Sequence, residues 1–164
     1  MTTKKLKTYS LKLEEDFENT WVLGIQTPLS GYRLAYLINK NLELQLRKNE
    51  VDVVFNNKKI ESHFSTYDYY NEEKYITWSL IHNVYKSLIL DKNPFDLFAI
   101  ESFYSTKIDY LLPEEKSVNF LLKIDGIDTI LYDKIASTIR KIYNVELVKP
   151  LDIKTLKNKK NLIF

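Results

Sequence analysis

Twice along this chain an extended apolar run gives way to side chains at three-and-four spacing, and then the pattern turns extended again. The first passage covers residues 20–47. "TWVLGIQT" is a short strand-like run carrying Trp21, Val22, Leu23 and Ile25. "SGYRLAYLINKNL" then puts Leu34, Leu37, Ile38 and Asn41 on one helical face, beside Tyr32, Ala35 and Tyr36, with Ser30 placed to cap its start. In "LELQLRK" the period is two again, with Leu42, Leu44 and Leu46 pointing one way. The second passage covers 117–149. "SVNFLLKID" is extended, "ELVKPLDI" is extended, and "DTILYDKIASTIRKIYNV" lies between them. That segment lines up Leu131, Ile135, Ile139 and Ile142, flanked by Ala136 and Tyr143, and Asp128 can cap it. Two strand–helix–strand units on one sheet imply an α+β fold, a largely antiparallel sheet covered by two helices. The pairing is ferredoxin-like or ACT-like, with a long strand-rich insertion between the units.

The insertion is strand-rich, with "YITWSLIHNVYKSLI" reading as extended or mixed. "VDVVF" alternates Val51, Val53 and Phe55, and Asn56-Asn57 suits a hairpin turn because Asn tolerates left-handed backbone angles. "KIESHFSTYDYY" runs to a polar "NEEK" break, and "YITWSLIHNVYKSLI" and "FAIESFYSTKIDYLLP" follow. Residues 5–13, "KLKTYSLKL", also alternate in a strand-like way. Three glycines and four prolines in 164 residues favour long elements with short connections. With no low-complexity linker, the organisation expected is one domain over 1–153 and a basic tail over 154–164.

Several chemistries lack their residues. There is no cysteine, hence no disulfide, thiolate nucleophile or Cys-bound metal. Neither a Walker A loop nor G-x-G-x-x-G nor G-x-S-x-G occurs. His63 and His82 are the only histidines, on separate strands and without zinc-ligand spacing, and Asp68, Glu72 and Glu73 are near His63 only in sequence. No cofactor, metal or catalytic constellation is therefore expected. A net charge of +2 is too mild to argue for nucleic acid by itself. No apolar run approaches the ~18 residues of a membrane span. A cytoplasmic protein is expected, with no membrane partner.

Three stretches remain as candidates for contact. "YLLPEEKSVNFLLKID", 110–125, interrupts two apolar runs at Pro113, Glu114 and Glu115. Proline suits a strand end, and adjacent carboxylates on extended chain face opposite ways, which spaces them badly for paired acid–base work. This reads as a turn, in which a single glutamate is placed to engage a basic partner. "FSTYDYYNEEKYITW" gathers Tyr67, Tyr69, Tyr70, Tyr75 and Trp78 among acidic neighbours that would repel phosphate. Cross-strand aromatic pairs come first here, and a protein-contact surface second. The tail sets Lys154, Lys157, Lys159 and Lys160 ahead of Leu162, Ile163 and Phe164, and that apolar end should dock on this domain or on a partner.

"LPEEKSVNF", Leu112 to Phe120, resembles the signature of the IPExxxVDY family of small proteins from Bacteroidetes-type bacteria. Pro113, Glu114 and Val118 match the motif; Leu112 stands for its Ile, Asn119 for its Asp and Phe120 for its Tyr. "YRLAYLINKNL", "YITWSLIHN" and the ending "KNLIF" are similar too, so the likeness runs along nearly the whole chain. The resemblance implies a free-standing bacterial cytoplasmic protein and carries no activity with it.

The leading expectation is a non-catalytic adaptor that binds another cytoplasmic protein through Pro113, Glu114, Glu115, Tyr69, Tyr70, Trp78, Leu162, Ile163 and Phe164. The alternative is a small-molecule sensor of ACT-like type, with Ser30, Gly31 and Tyr32 holding an anionic ligand on backbone amides. RNA association through the terminal lysines is third.

Overall fold

The computed structural model describes residues 17, 19–57, 60–91 and 103–163. Its elements run β1 (Thr20–Gln26), α1 (Gly31–Leu42), β2 (Arg47–Lys48), β3 (Val53–Asn57), β4 (Ile60–Phe64), β5 (Thr66–Asn71), β6 (Ile76–His82) and β7 (Val84–Asp91). Then come β8 (Phe103–Tyr110), β9 (Phe120–Asp125), α2 (Thr129–Arg140), β10 (Leu147–Leu151) and a 3-10 turn (Lys159–Leu162). Six strands form one sheet in the order β10-β1-β9-β6-β5-β2, every neighbouring pair antiparallel. Its first four strands, with α1 and α2, have the split βαβ arrangement, and β3-β4 and β7-β8 are two-stranded hairpins inserted into it. The fold is α+β, as the two strand–helix–strand passages imply.

The sheet buries both faces, which is why its central strands read as nearly continuous apolar runs. Leu23 and Ile25 of β1, Phe120, Leu122 and Ile124 of β9, and Trp78 and Leu80 of β6 meet the helices. There they pack against Leu34, Ala35 and Ile38 of α1 and Tyr132, Ile135, Ala136 and Ile139 of α2. Val22, Leu121, Ile81 and Leu151 of β10 face the other side, where Phe64, Leu111, Leu112, Val118, Ile153, Leu156 and Leu162 join them in a second core.

Three expectations are corrected. Residues 42–46 are not a strand: Leu42 closes α1, Glu43 turns left-handed at φ 55°, and the Leu44 amide donates to the Asn39 carbonyl. The Asn39 side chain then holds both the N–H and the C=O of Leu46, so the three leucines tuck beneath the helix end. Only Arg47 and Lys48 pair, with β5. In α2 the buried face is turned by one residue, taking Tyr132 in place of Leu131, which is left 38% exposed. Tyr132 stacks on Trp21 at 4.6 Å and donates to the Val22 carbonyl at 3.0 Å, so burial foremost pushes its phenol up to about 12. Asn56 and Asn57 belong to β3, with Asn57 paired to Ile60, and residues 58 and 59 lie outside the described residues. The expected strand over 5–13 and the terminal Phe164 also lie outside them. Asp128 caps α2 through a 2.7 Å bond from the Leu131 amide, whereas Ser30 occupies the cap position of α1 without a side-chain bond.

Candidate functional site

The chain between β8 and β9 is tied down from within. Asn83, fully buried between β6 and β7, accepts from the Leu112 amide at 2.8 Å and donates to the carbonyls of Glu115 and Val118, both at 2.9 Å. Its backbone meets the same segment, the N–H on the Asn119 carbonyl and the C=O under the Leu111 amide. Asn119 in turn uses both ends of its amide on Thr27, accepting from the N–H at 3.0 Å and donating to the C=O at 2.6 Å. Buried amides of this kind specify a loop because every unmade bond costs desolvation without return.

The two glutamates are engaged inside the molecule. Glu114 receives the Asn158 backbone N–H at 2.9 Å and its side-chain amide at 2.7 Å. Partial burial works against the charge, yet these bonds prevail and hold the carboxyl below its ordinary value. Glu115 accepts from Lys149 Nζ at 2.6 Å. Each glutamate faces a different element, so they do not form a paired acid–base centre. The C-terminal segment docks here: Leu162 is buried, and Asn161 donates to the Leu111 carbonyl at 2.7 Å.

Next to this junction the inserted hairpins leave a groove of about 440 Å³. Phe55 and Phe64 line one wall, Ile108 and Tyr110 another, and Pro113, Lys116, Asn158 and Asn161 close the rim. Ile108 is 46% exposed, and Lys116 lies 5.7 Å from the Tyr110 ring centroid with no ion pair among the described residues. Asp109 is already held by Lys107 at 3.1 Å and by the Ser62 hydroxyl at 2.9 Å. The groove thus offers an apolar floor, one cation without an ion pair among the described residues, and the oxygens of two side-chain amides whose NH2 groups bond Glu114 and the Leu111 carbonyl.

The remaining candidates scatter. Trp78 and Tyr69 pair across β5 and β6, with Trp78 buried in the helix-side core and Tyr69 partly buried against it. Tyr70 points the other way and is half exposed. Pro113 is exposed at the groove, and Ile163 is partly exposed beside buried Leu162. Ser30, Gly31 and Tyr32 open α1 on the far side of the sheet from the groove. The two histidines are separate, and no cluster of three metal-ligating side chains occurs among the described residues. Sequence reasoning missed Asn83, Asn158 and Asn161. Asn83 had a signal, a single amide inside "SLIHNVY", whereas the partners of Asn158 and Asn161 are 44 and 50 residues away and leave no local trace.

Comparison with known proteins returns no matching family model, no matching curated protein and no matching solved structure. No helix of the described residues is long and apolar enough to cross a membrane.

Proposed function

We propose that this chain is a non-catalytic binding protein of the cytoplasm that captures an extended segment of a partner protein in the groove between its two inserted hairpins. The observation that carries this reading is the composition of the groove. An exposed Ile108 and aromatic walls suit an apolar anchor, Lys116, without an ion pair among the described residues, suits a carboxylate, and the side-chain oxygens of Asn158 and Asn161, whose NH2 groups bond Glu114 and the Leu111 carbonyl, suit the N–H groups of a peptide backbone. A volume of about 440 Å³ is the size of a few side chains. Pro113 belongs to this surface, whereas Glu114 and Glu115 support it from behind by fixing the turn and the tail.

The test is a photo-crosslinking residue placed at position 108 and, separately, at position 36, where exposed Tyr36 lies on α1. One protein crosslinked from 108 and not from 36, lost on Lys116→Glu and resistant to nuclease, is the expected result. Equal capture from both positions would refute the groove. Capture that disappears with nuclease would transfer the reading to RNA.

A further inference from the structure

Strand β10 leaves the sheet before β1 has ended. Its last pair with β1 is Val22↔Leu151. The chain then reverses over 152–155, where Asp152 Oδ1 accepts from the Lys154 amide at 2.9 Å and the Asp152 carbonyl accepts from the Thr155 amide at 3.0 Å. Thr20 and Trp21 therefore run past the end of their neighbour, and a recess of about 480 Å³ opens beside them. Small-ligand sites span roughly 300–1,000 Å³. The recess lies where the two cores meet, with Trp21 and Tyr132 from the helix side and Leu151, Ile153 and Phe17 from the hairpin side. The polar atoms of its walls are bonded elsewhere. Trp21 Nε1 donates to the Ile127 carbonyl at 2.9 Å, the Tyr132 hydroxyl to the Val22 carbonyl at 3.0 Å, and the Thr20 hydroxyl to Asp125 at 2.5 Å. What remains for a ligand is hydrocarbon and the rings of the stacked Trp21–Tyr132 pair.

Charge is confined to the mouth. Asp152 and Lys154 line the recess from either side of buried Ile153; both are exposed, and neither has an ion pair among the described residues. A ligand carrying one charge, of either sign, satisfies one of these groups and is repelled by the other. A zwitterion satisfies both. We propose that this recess binds a free aromatic amino acid. The ring enters against Trp21 and Tyr132, where it extends their stack. The carboxylate meets Lys154 and the ammonium meets Asp152, while the exposed Asn19 adds an amide at the rim. A phosphate ester fits less well, because its second negative charge has only Asp152 left to face. The recess shares no lining residue with the hairpin groove, so neither reading depends on the other.

The experiment titrates the full chain with phenylalanine, with hydrocinnamate, which lacks the amine, with phenethylamine, which lacks the carboxylate, and with alanine, which lacks the ring. Affinity is read by calorimetry and position by the indole N–H resonances of Trp21 and Trp78. Phenylalanine should bind and move the Trp21 resonance, leaving that of Trp78, which does not line the recess, in place. Hydrocinnamate and phenethylamine should each bind about tenfold more weakly, the value of one charge-assisted contact, and alanine should not bind measurably. Two variants separate the charges. Asp152→Asn keeps an oxygen for the Lys154 amide, so the turn holds; it should weaken phenylalanine and phenethylamine and spare hydrocinnamate. Lys154→Gln should weaken phenylalanine and hydrocinnamate and spare phenethylamine. No binding of phenylalanine would overturn the proposal, as would a Trp21 resonance that stays still or an affinity unchanged in both variants. Hydrocinnamate or phenethylamine binding as tightly as phenylalanine would overturn the assignment to a zwitterion.

Discussion

Asn119 stands where the resembled motif has an acidic residue, and the structure gives that choice a reason. Its Nδ2 donates to the Thr27 carbonyl, a bond that an ionised carboxylate cannot make, and its Oδ1 accepts from the Thr27 amide. Asn119→Asp should therefore cost about 1–2 kcal/mol at neutral pH, where the new carboxylate faces a carbonyl oxygen. The direction with pH is fixed. The carbonyl raises the folded-state pKa of the new Asp above its unfolded value, so the stability it retains is present in acid and lost as pH rises through that folded value. Urea midpoints measured for the variant and wild type between pH 4 and 7 should diverge as pH increases; parallel curves would contradict the geometry. Asn83→Ala is the harsher change. It leaves the Leu112 amide and the Val118 carbonyl without partners in a buried place, while the Glu115 carbonyl keeps the Val118 amide, and about 3 kcal/mol should be lost in the same assay. Neither role could be assigned from sequence, because the partners of Asn83 are 29 to 35 positions away and those of Asn119 are 92 away. What sequence does disclose is the turn itself, through Pro113 and the charged run after it.

At the scale of elements, the helices and central strands are legible because each follows one period over its length. Trp78, Leu80 and Tyr69 fall where alternation puts them, and α1 buries the expected Leu34 and Ile38. The failures occur where two geometries share one pattern. Leu42, Leu44 and Leu46 alternate as a strand would, and only the left-handed Glu43 converts them into a helix end and a tucked loop. Tyr132 takes the place of Leu131 because its ring can meet Trp21 while its hydroxyl reaches the Val22 carbonyl. The C-terminal segment shows a different physics, since its apolar end is anchored by a carboxylate. Glu114 is held below its ordinary value by Asn158, so it contributes stability that is present above the unfolded pKa near 4.5 and lost as pH falls through the lower folded value. Glu114→Gln should remove this part of the acid sensitivity and speed amide exchange of Asn158 and Asn161 relative to Leu122. Unchanged exchange at both asparagines would show that Leu162 holds the segment unaided.

On the scale of the whole molecule, one sheet carries two cores, and strand β9 belongs to both. Leu122 packs under the helices and Leu121 packs under the hairpins and the C-terminal segment, and both are fully buried. The helix-side core is built by the strand–helix–strand passages that the sequence displays, joined by Tyr67 of β5 and Ile76, Trp78 and Leu80 of β6. The other is assembled from segments far apart in the chain, Phe64 of β4, Leu111 and Val118 of the turn, and Leu156 and Leu162 near the end, none of which advertises the others. If β9 couples the two layers, Leu121→Ala and Leu122→Ala should each lose about 2–5 kcal/mol through the lost contacts and the cavity left behind. Both should still unfold in one transition, with the denaturant dependence of wild type, because exposing either face of β9 removes the surface on which the other layer is built. Urea titration followed in parallel by tryptophan fluorescence, which reports Trp21 and Trp78 on the helix side, and by circular dichroism decides the point. Coincident curves for both variants mean that the hairpin layer is integral to the fold, and that the groove between the hairpins is as well ordered as the sheet beneath it. A separate early step in Leu121→Ala alone would mean that the hairpins and tail detach from an intact helix-covered sheet, and the groove would then form only when that layer is closed.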